Sequence, residues 1–314
     1  MTGNGIEHLF VVLITFIMAV LLPAVLPVAL IIIIGFIAGK TLNIELKTLS
    51  QLSVYILSPA LISDSLYRTN LSPQSILDLL LGVAITSLLI FLLIWLLSCC
   101  FNLSSFNYKS LLATTLHPNN GNMGLPFVDF ALGAEGLERA IIYMIGSAII
   151  LFGFAPAILT GRGLGKSLSL TLKLPLMWAI LAGLTLRLLN IELPFNLGEA
   201  IHMLGRAAIP LALIILGIQL SITRFTISKY ELSATILRLL IAPIIALFVG
   251  NFLKLEGLDL KVLILQSAMP TAVNTLVLVS QFGGDAPRVA RTIVVTTVTS
   301  FITLPLILWL TTYL

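Results

Sequence analysis

The chain predicts an all-α polytopic membrane protein, and three observations carry that prediction. Of its 314 residues 59% are hydrophobic and only 10% charged, with a mean hydropathy of +1.13, far outside the range of a water-soluble domain. Apolar runs of about 20 residues, long enough to cross a hydrocarbon core of about 30 Å, recur from end to end with short polar joints between them. The runs are continuous rather than alternating, which argues against a membrane β-barrel. The basic residues behind the net charge of +4 stand singly at run ends, so they speak for topology rather than for a nucleic-acid partner. Cys99 and Cys100 are adjacent. They offer neither a disulfide framework nor a CxxC metal site and read as packing residues; no metal or cofactor is expected.

Residues 1–23 form an N-terminal extension. Its apolar stretch 6–22 is set off by Pro23 and Pro27 and reads as an interfacial helix or an extension of the first run, with an eleventh crossing as the alternative. Without a basic segment ahead of it, it does not read as a cleaved signal peptide. Ten runs bounded by Gly, Pro and charge follow, at 24–39, 49–67, 75–99, 107–133, 138–159, 170–189, 198–221, 231–253, 258–282 and 288–312. The chain repeats itself. Pro118 and Pro270, Lys109 and Lys261, Asn122 and Asn274, Phe130 and Phe282, and Arg139 and Arg291 share one offset of 152 residues, and LNIEL occurs at 42–46 and again at 189–193. Two five-helix repeats, 24–160 and 170–314, are therefore expected, joined by a short cytoplasmic linker at 161–169. An odd number of crossings per repeat makes the second copy inverted. With the first helix entering from outside, eleven Lys and Arg fall on the inner side and six on the outer. That bias favours both termini outside, in a plasma (inner) membrane.

The stretch LHPNNGNMGLP at 116–126 does not suit a smooth membrane helix. Pro118 removes an amide donor and clashes with the preceding turn, while Gly121 and Gly124 loosen the backbone beside it. The related run breaks at the matching place, AMPTAVNT at 268–275, around Pro270. Unwound backbone at membrane depth persists only where protein or a water-filled cavity covers it. Two discontinuous helices, the fourth and the ninth, are thus expected to cross at a midplane site, with the amino-terminal ends of their second halves converging. No acid stands at either break, the nearest being Asp129 and Asp285. The substrate is therefore expected to bring the negative charge: a small organic anion, held by Asn119, Asn122, Asn274 and half-helix amides, with Asn120 and Thr271 beside them.

PNNGNMGLP, from Pro118 to Pro126, resembles the crossover signature P-N-x-x-x-M-G-x-P of the auxin efflux carrier family. SPALI at 58–62, NIELP at 190–194 and AMPTA at 268–272 extend the resemblance over nearly the whole chain. It implies ten helices in two inverted repeats, a fold shared with bile acid:sodium symporters. It implies as well a scaffold from helices 1, 2, 6 and 7 against a moving transport domain from helices 3–5 and 8–10, that is, elevator-type alternating access. It further implies that Asn119 contacts the substrate carboxylate, and that Ser58 and Gln219 face the crossover with Tyr143 closing it. The long central cytoplasmic loop of the plant carriers is missing here, so the chain resembles the short microbial members. The expected substrate is an auxin-like carboxylate or another organic acid, exported or exchanged.

Asp64, Asp78 and His117 are candidates for proton coupling, although the two aspartates also suit solvated positions near the outer interface. Glu135, Glu138, Arg139, Asp285, Arg288 and Arg291 read as solvated helix ends. The expected partners are the organic anion, the lipid bilayer and a second copy meeting through the scaffold helices. A sodium-coupled symporter is the nearest rival, because unwound carbonyls with Asn and Thr side chains also ligate hard cations. An enzyme is argued against: the chain has no HExxH, no GxSxG and no protease-like pair of intramembrane aspartates.

Overall fold

The computed structural model describes residues 22–154, 175–223 and 225–314. The expected interfacial helix within 1–21 and the linker at 161–169 lie outside them. The described elements are α1 (Leu22–Thr41), α2 (Leu46–Leu52), α3 (Ser58–Arg68), α4 (Pro73–Cys100), α5 (Ser105–Leu116), α6 (Leu125–Ile149), α7 (Pro175–Leu188), α8 (Leu197–Ile222), α9 (Lys229–Ile236), α10 (Ala242–Phe252), α11 (Gly257–Ser267), α12 (Thr275–Phe282) and α13 (Ala286–Leu310). Among the described residues there is no strand, only an isolated antiparallel bridge between Pro118 and Thr271.

Among the described residues five stretches are long and apolar enough to cross a bilayer: Leu22–Thr41, Pro73–Cys100, Leu197–Ile222, Lys229–Phe252 and Ala286–Tyr313. Their outer faces carry large bare hydrophobics such as Trp95, Phe248 and Ile302, which suit lipid and would be a liability in water. This is an integral membrane protein. Cys99 and Cys100, expected to pack, are both exposed free thiols at the end of α4.

Prolines decide the internal irregularities. Pro59, Pro126 and Pro243 each stand second in a helix, and each of these helices follows a single π turn, at Ser53–Leu57, Asn120–Gly124 and Leu237–Ile241. A proline has no N–H to return to the carbonyl four residues back, so the ladder widens there before it resumes. Gly133, at φ 69° and ψ −167°, interrupts α6 in a conformation that other residues avoid.

The helices pack in two groups. In one, α1 lies along α8, and α3 packs on both α7 and α8. The α1–α8 crossing is close because glycines make it: a Cβ on Gly35 would stand 2.4 Å from the Ile214 carbonyl oxygen, and one on Gly217 would stand 2.1 Å from that of Ile32. Such small-residue contacts are how membrane helices approach without a hydrophobic driving force. The other group holds α4, α5, α6 and α9 to α13, with α11 between α6 and α10 and with α13 against α9 and α12. The two breaks meet inside this second group.

Candidate substrate site

α5 stops at Leu116 and regular α-helix resumes only at Leu125, after His117, Pro118, Asn119 and the π turn. α11 stops at Ser267, and α12 starts at Thr275. The two unwound stretches satisfy each other. The Asn119 amide donates to the Pro270 carbonyl at 2.7 Å, and the Ala272 amide donates to the His117 carbonyl at 2.9 Å. Four of the backbone groups that unwinding orphans, two amides and two carbonyls, are thereby paired without water. Thr271 completes the joint: its hydroxyl donates to the Thr114 carbonyl at 2.8 Å, and its amide donates to the Thr296 hydroxyl at 3.2 Å.

A cavity of about 150 Å3 opens against this joint, below the roughly 300–1,000 Å3 of pockets for drug-sized ligands. His117 to Asn122 form one wall, with Ala272 and Asn274 from the second break beside them. Ser53 and Ser58 face them from the other helix group, and Met144, Ser147 and Leu151 line the far side. No acid, lysine or arginine is among the lining residues; His117 is the one ionisable group there.

The asparagines give the cavity its chemistry. Asn119 and Asn120 are 4% and 7% exposed, and the side-chain Nδ2 of each has no hydrogen-bond partner. An unsatisfied buried donor costs about 1–3 kcal/mol, a cost that an acceptor arriving in the cavity would remove. Asn122 is half-buried and Asn274 exposed, both at the cavity wall. The π turn also opens here, and the first amides of a helical segment have no acceptor within it. The wall is therefore rich in donors and poor in negative charge.

The chain matches the family described as membrane transport protein over residues 20–308. The chain belongs to that family, the auxin efflux carriers and their relatives. A transporter of Methanothermobacter thermautotrophicus is 30% identical over 292 residues, covering 90% of this chain and 95% of that protein. One of Methanocaldococcus jannaschii is 27% identical over 300 residues, with 91% and 97% covered. A Rhizobium meliloti protein that carries the name "Putative malonate transporter" is 25% identical over 317 residues, with 93% and 96% covered.

Several family-type expectations meet the geometry differently. Of the candidate residues, Ser58, His117, Pro118, Asn119, Asn120, Gly121, Asn122 and Asn274 line the cavity, whereas Thr271, Tyr143 and Gln219 do not. Thr271 spends its hydroxyl on the Thr114 carbonyl. Tyr143 is buried, with its hydroxyl 3.0 Å from that of Ser267, so it braces the end of α11 instead of closing the cavity. Gln219 is half-buried on α8, with its side-chain oxygen unpaired. Gly124 is where the second half packs: a Cβ there would fall 2.1 Å from Gln266 Oε1. Pro270 contributes its carbonyl to the joint.

The acids are not at the cavity either. Asp64 is 7% exposed rather than solvated, held by Arg68 Nε at 2.8 Å and His202 Nδ1 at 2.7 Å. Asp78 is half-buried and accepts from Gln74 at 2.8 Å. Asp129 pairs with Arg206 of α8 at 3.3 Å, linking the two helix groups. Some supposed helix-end charges are engaged as well: Arg139 with Asp259 at 2.6 Å, and Arg291 at 2.8 Å with a fully buried Glu231.

Sequence reasoning missed Arg238 and Gln266. Arg238 counts as an inner-side loop charge in the topology tally, yet it is 1% exposed inside the second helix group, so it carries no vote and the inner count falls to ten. The available signal was its place seven residues inside an apolar run, where an ionisable group is functional by default.

Proposed function

We propose that the protein is a secondary carrier for small organic anions, with the substrate carboxylate held at the joint of the two broken helices. The observation that carries this reading is the pair of buried, unpartnered amide donors of Asn119 and Asn120 in a cavity lined by no acid. A carboxylate accepts hydrogen bonds from such donors, and the first turn of the following helical segment adds its positive end. A cation would find no carboxylate among the lining residues to balance its charge. The small cavity favours a short acid, and the name of the Rhizobium relative makes malonate the first compound to try.

Ten crossings in two inverted repeats form the architecture we propose, supported by the constant sequence offset and by breaks at corresponding positions of α5–α6 and α11–α12. α1, α3, α7 and α8 act as the scaffold, a role their own dense packing supports; the remaining helices move against them. With both termini outside, Ser53, Leu151 and Leu176 belong to the cytoplasmic half. The cavity then faces inward, and Asp129–Arg206 closes the outer side. A pair of scaffolds meeting in a homodimer fits the same arrangement.

Counterflow in proteoliposomes tests the reading. Vesicles preloaded with malonate are expected to take up labelled malonate saturably, and an excess of unlabelled short-chain organic acid to suppress uptake. Uptake that never saturates, or that organic cations suppress instead, would overturn it.

A further inference from the structure

Arg238 sits in the π turn Leu237–Ile241, within a membrane-spanning stretch, and is the largest of the fully buried side chains. Its guanidinium reaches two helices at once: Nη1 donates to the Thr115 carbonyl near the end of α5, and Nη2 donates to the Ser267 carbonyl at the end of α11. Among the described residues no carboxylate pairs with it. A buried arginine without an acid is expensive unless other negative charge faces it.

Helix carboxyl ends supply that charge. Each helix terminus is equivalent to about half an elementary charge, negative at the carboxyl end. The ends of α5 and α11 together present about one negative charge, and one guanidinium offsets it. At the cavity the opposite ends, those opening the second halves, present a similar positive charge. That side has no fixed counter-charge among the lining residues. One side of the joint is thus permanently neutralised, and the other is left for whatever the cavity binds.

We propose that Arg238 is a built-in cation of the carrier: it occupies the converging carbonyl ends that would otherwise draw a mobile metal cation, and so lets the anion bind without one. Arg238 is a positioning residue, acting through the two helix ends rather than touching substrate. The anion half of this statement rests on the organic-anion reading of the cavity; the cation half stands on the Thr115 and Ser267 carbonyls alone.

The test is the melting temperature of the purified full chain in sodium chloride against choline chloride at equal ionic strength. Without organic acid, the wild type is expected to melt at the same temperature in both salts, and Arg238→Lys to behave likewise. Arg238→Ala is expected to melt lower and to regain at least about 2 °C in sodium chloride, or in dilute guanidinium chloride, relative to choline, because a ligand of the folded state alone raises stability by mass action. A structural loss unconnected with charge would not respond to the cation. The proposal is overturned if sodium stabilises the wild type over choline, or if Arg238→Ala is as indifferent to both cations as the wild type. Should Arg238→Ala not fold, the shift that malonate produces in the wild type decides: equal shifts in the two salts support the proposal, and a sodium-dependent shift overturns it. A wild type that ignores malonate while showing the expected cation pattern sinks the organic-anion reading and leaves the role of Arg238 standing.

Discussion

The two helix breaks are built to the same plan and used differently. At the first, Asn119 and Asn120 keep buried side-chain donors free at the cavity. At the second, Thr271 gives its hydroxyl to the Thr114 carbonyl, and Asn274 stands exposed at the rim. One break offers polar groups to a ligand; the other spends them on holding the joint. The shared plan supplies the unwinding, and the side chains beside each proline decide what it is for.

Four substitutions sharpen or break that contrast. Asn119→Ala should have the largest effect: losing a hydrogen bond to a charged group costs about 1.5–3 kcal/mol, or about 10- to 150-fold in malonate affinity by calorimetry. Gly124→Ala comes next, and its effect is on folding. A Cβ forced against Gln266 overpacks the second half, at a cost of about 1–3 kcal/mol in chemical denaturation. Thr271→Val removes a donor to a buried carbonyl and should cost about 1 kcal/mol of stability while leaving malonate affinity within about threefold. A large affinity loss there with unchanged stability would break the contrast. Asn274→Ala should be mildest, because a donor at an exposed rim competes with water; a fall of about two- to fivefold in affinity is expected from a net bond of about 0.5–1 kcal/mol.

Much of this was legible in the sequence. Pro118 and Pro270 announced both breaks because an absent N–H acts locally, and the apolar runs announced the spans because bilayer thickness sets their length. Asn119, Asn120 and Asn122 stood out for the same local reason, being polar where the surroundings are not. What stayed hidden depends on which helix faces which. Tyr143 as a brace for Ser267, the Asp64–His202 pair, and Arg238 across two carbonyl ends each join residues far apart in the chain. Single-residue reasoning left Asp64 open between proton coupling and a solvated position and counted Arg238 as a loop charge; His202 for the one, and the carbonyl ends of α5 and α11 for the other, come from other helices, and packing alone brings those within reach.

The most direct test of the central claim is calorimetric titration of malonate into the purified full chain and into Asn119→Asp, which keeps the side-chain shape and replaces the donor by a negative charge. The account predicts saturable binding to the wild type and none detectable to Asn119→Asp under conditions where the variant, destabilised by its buried carboxylate, is still folded. Equal binding to the two proteins would contradict it.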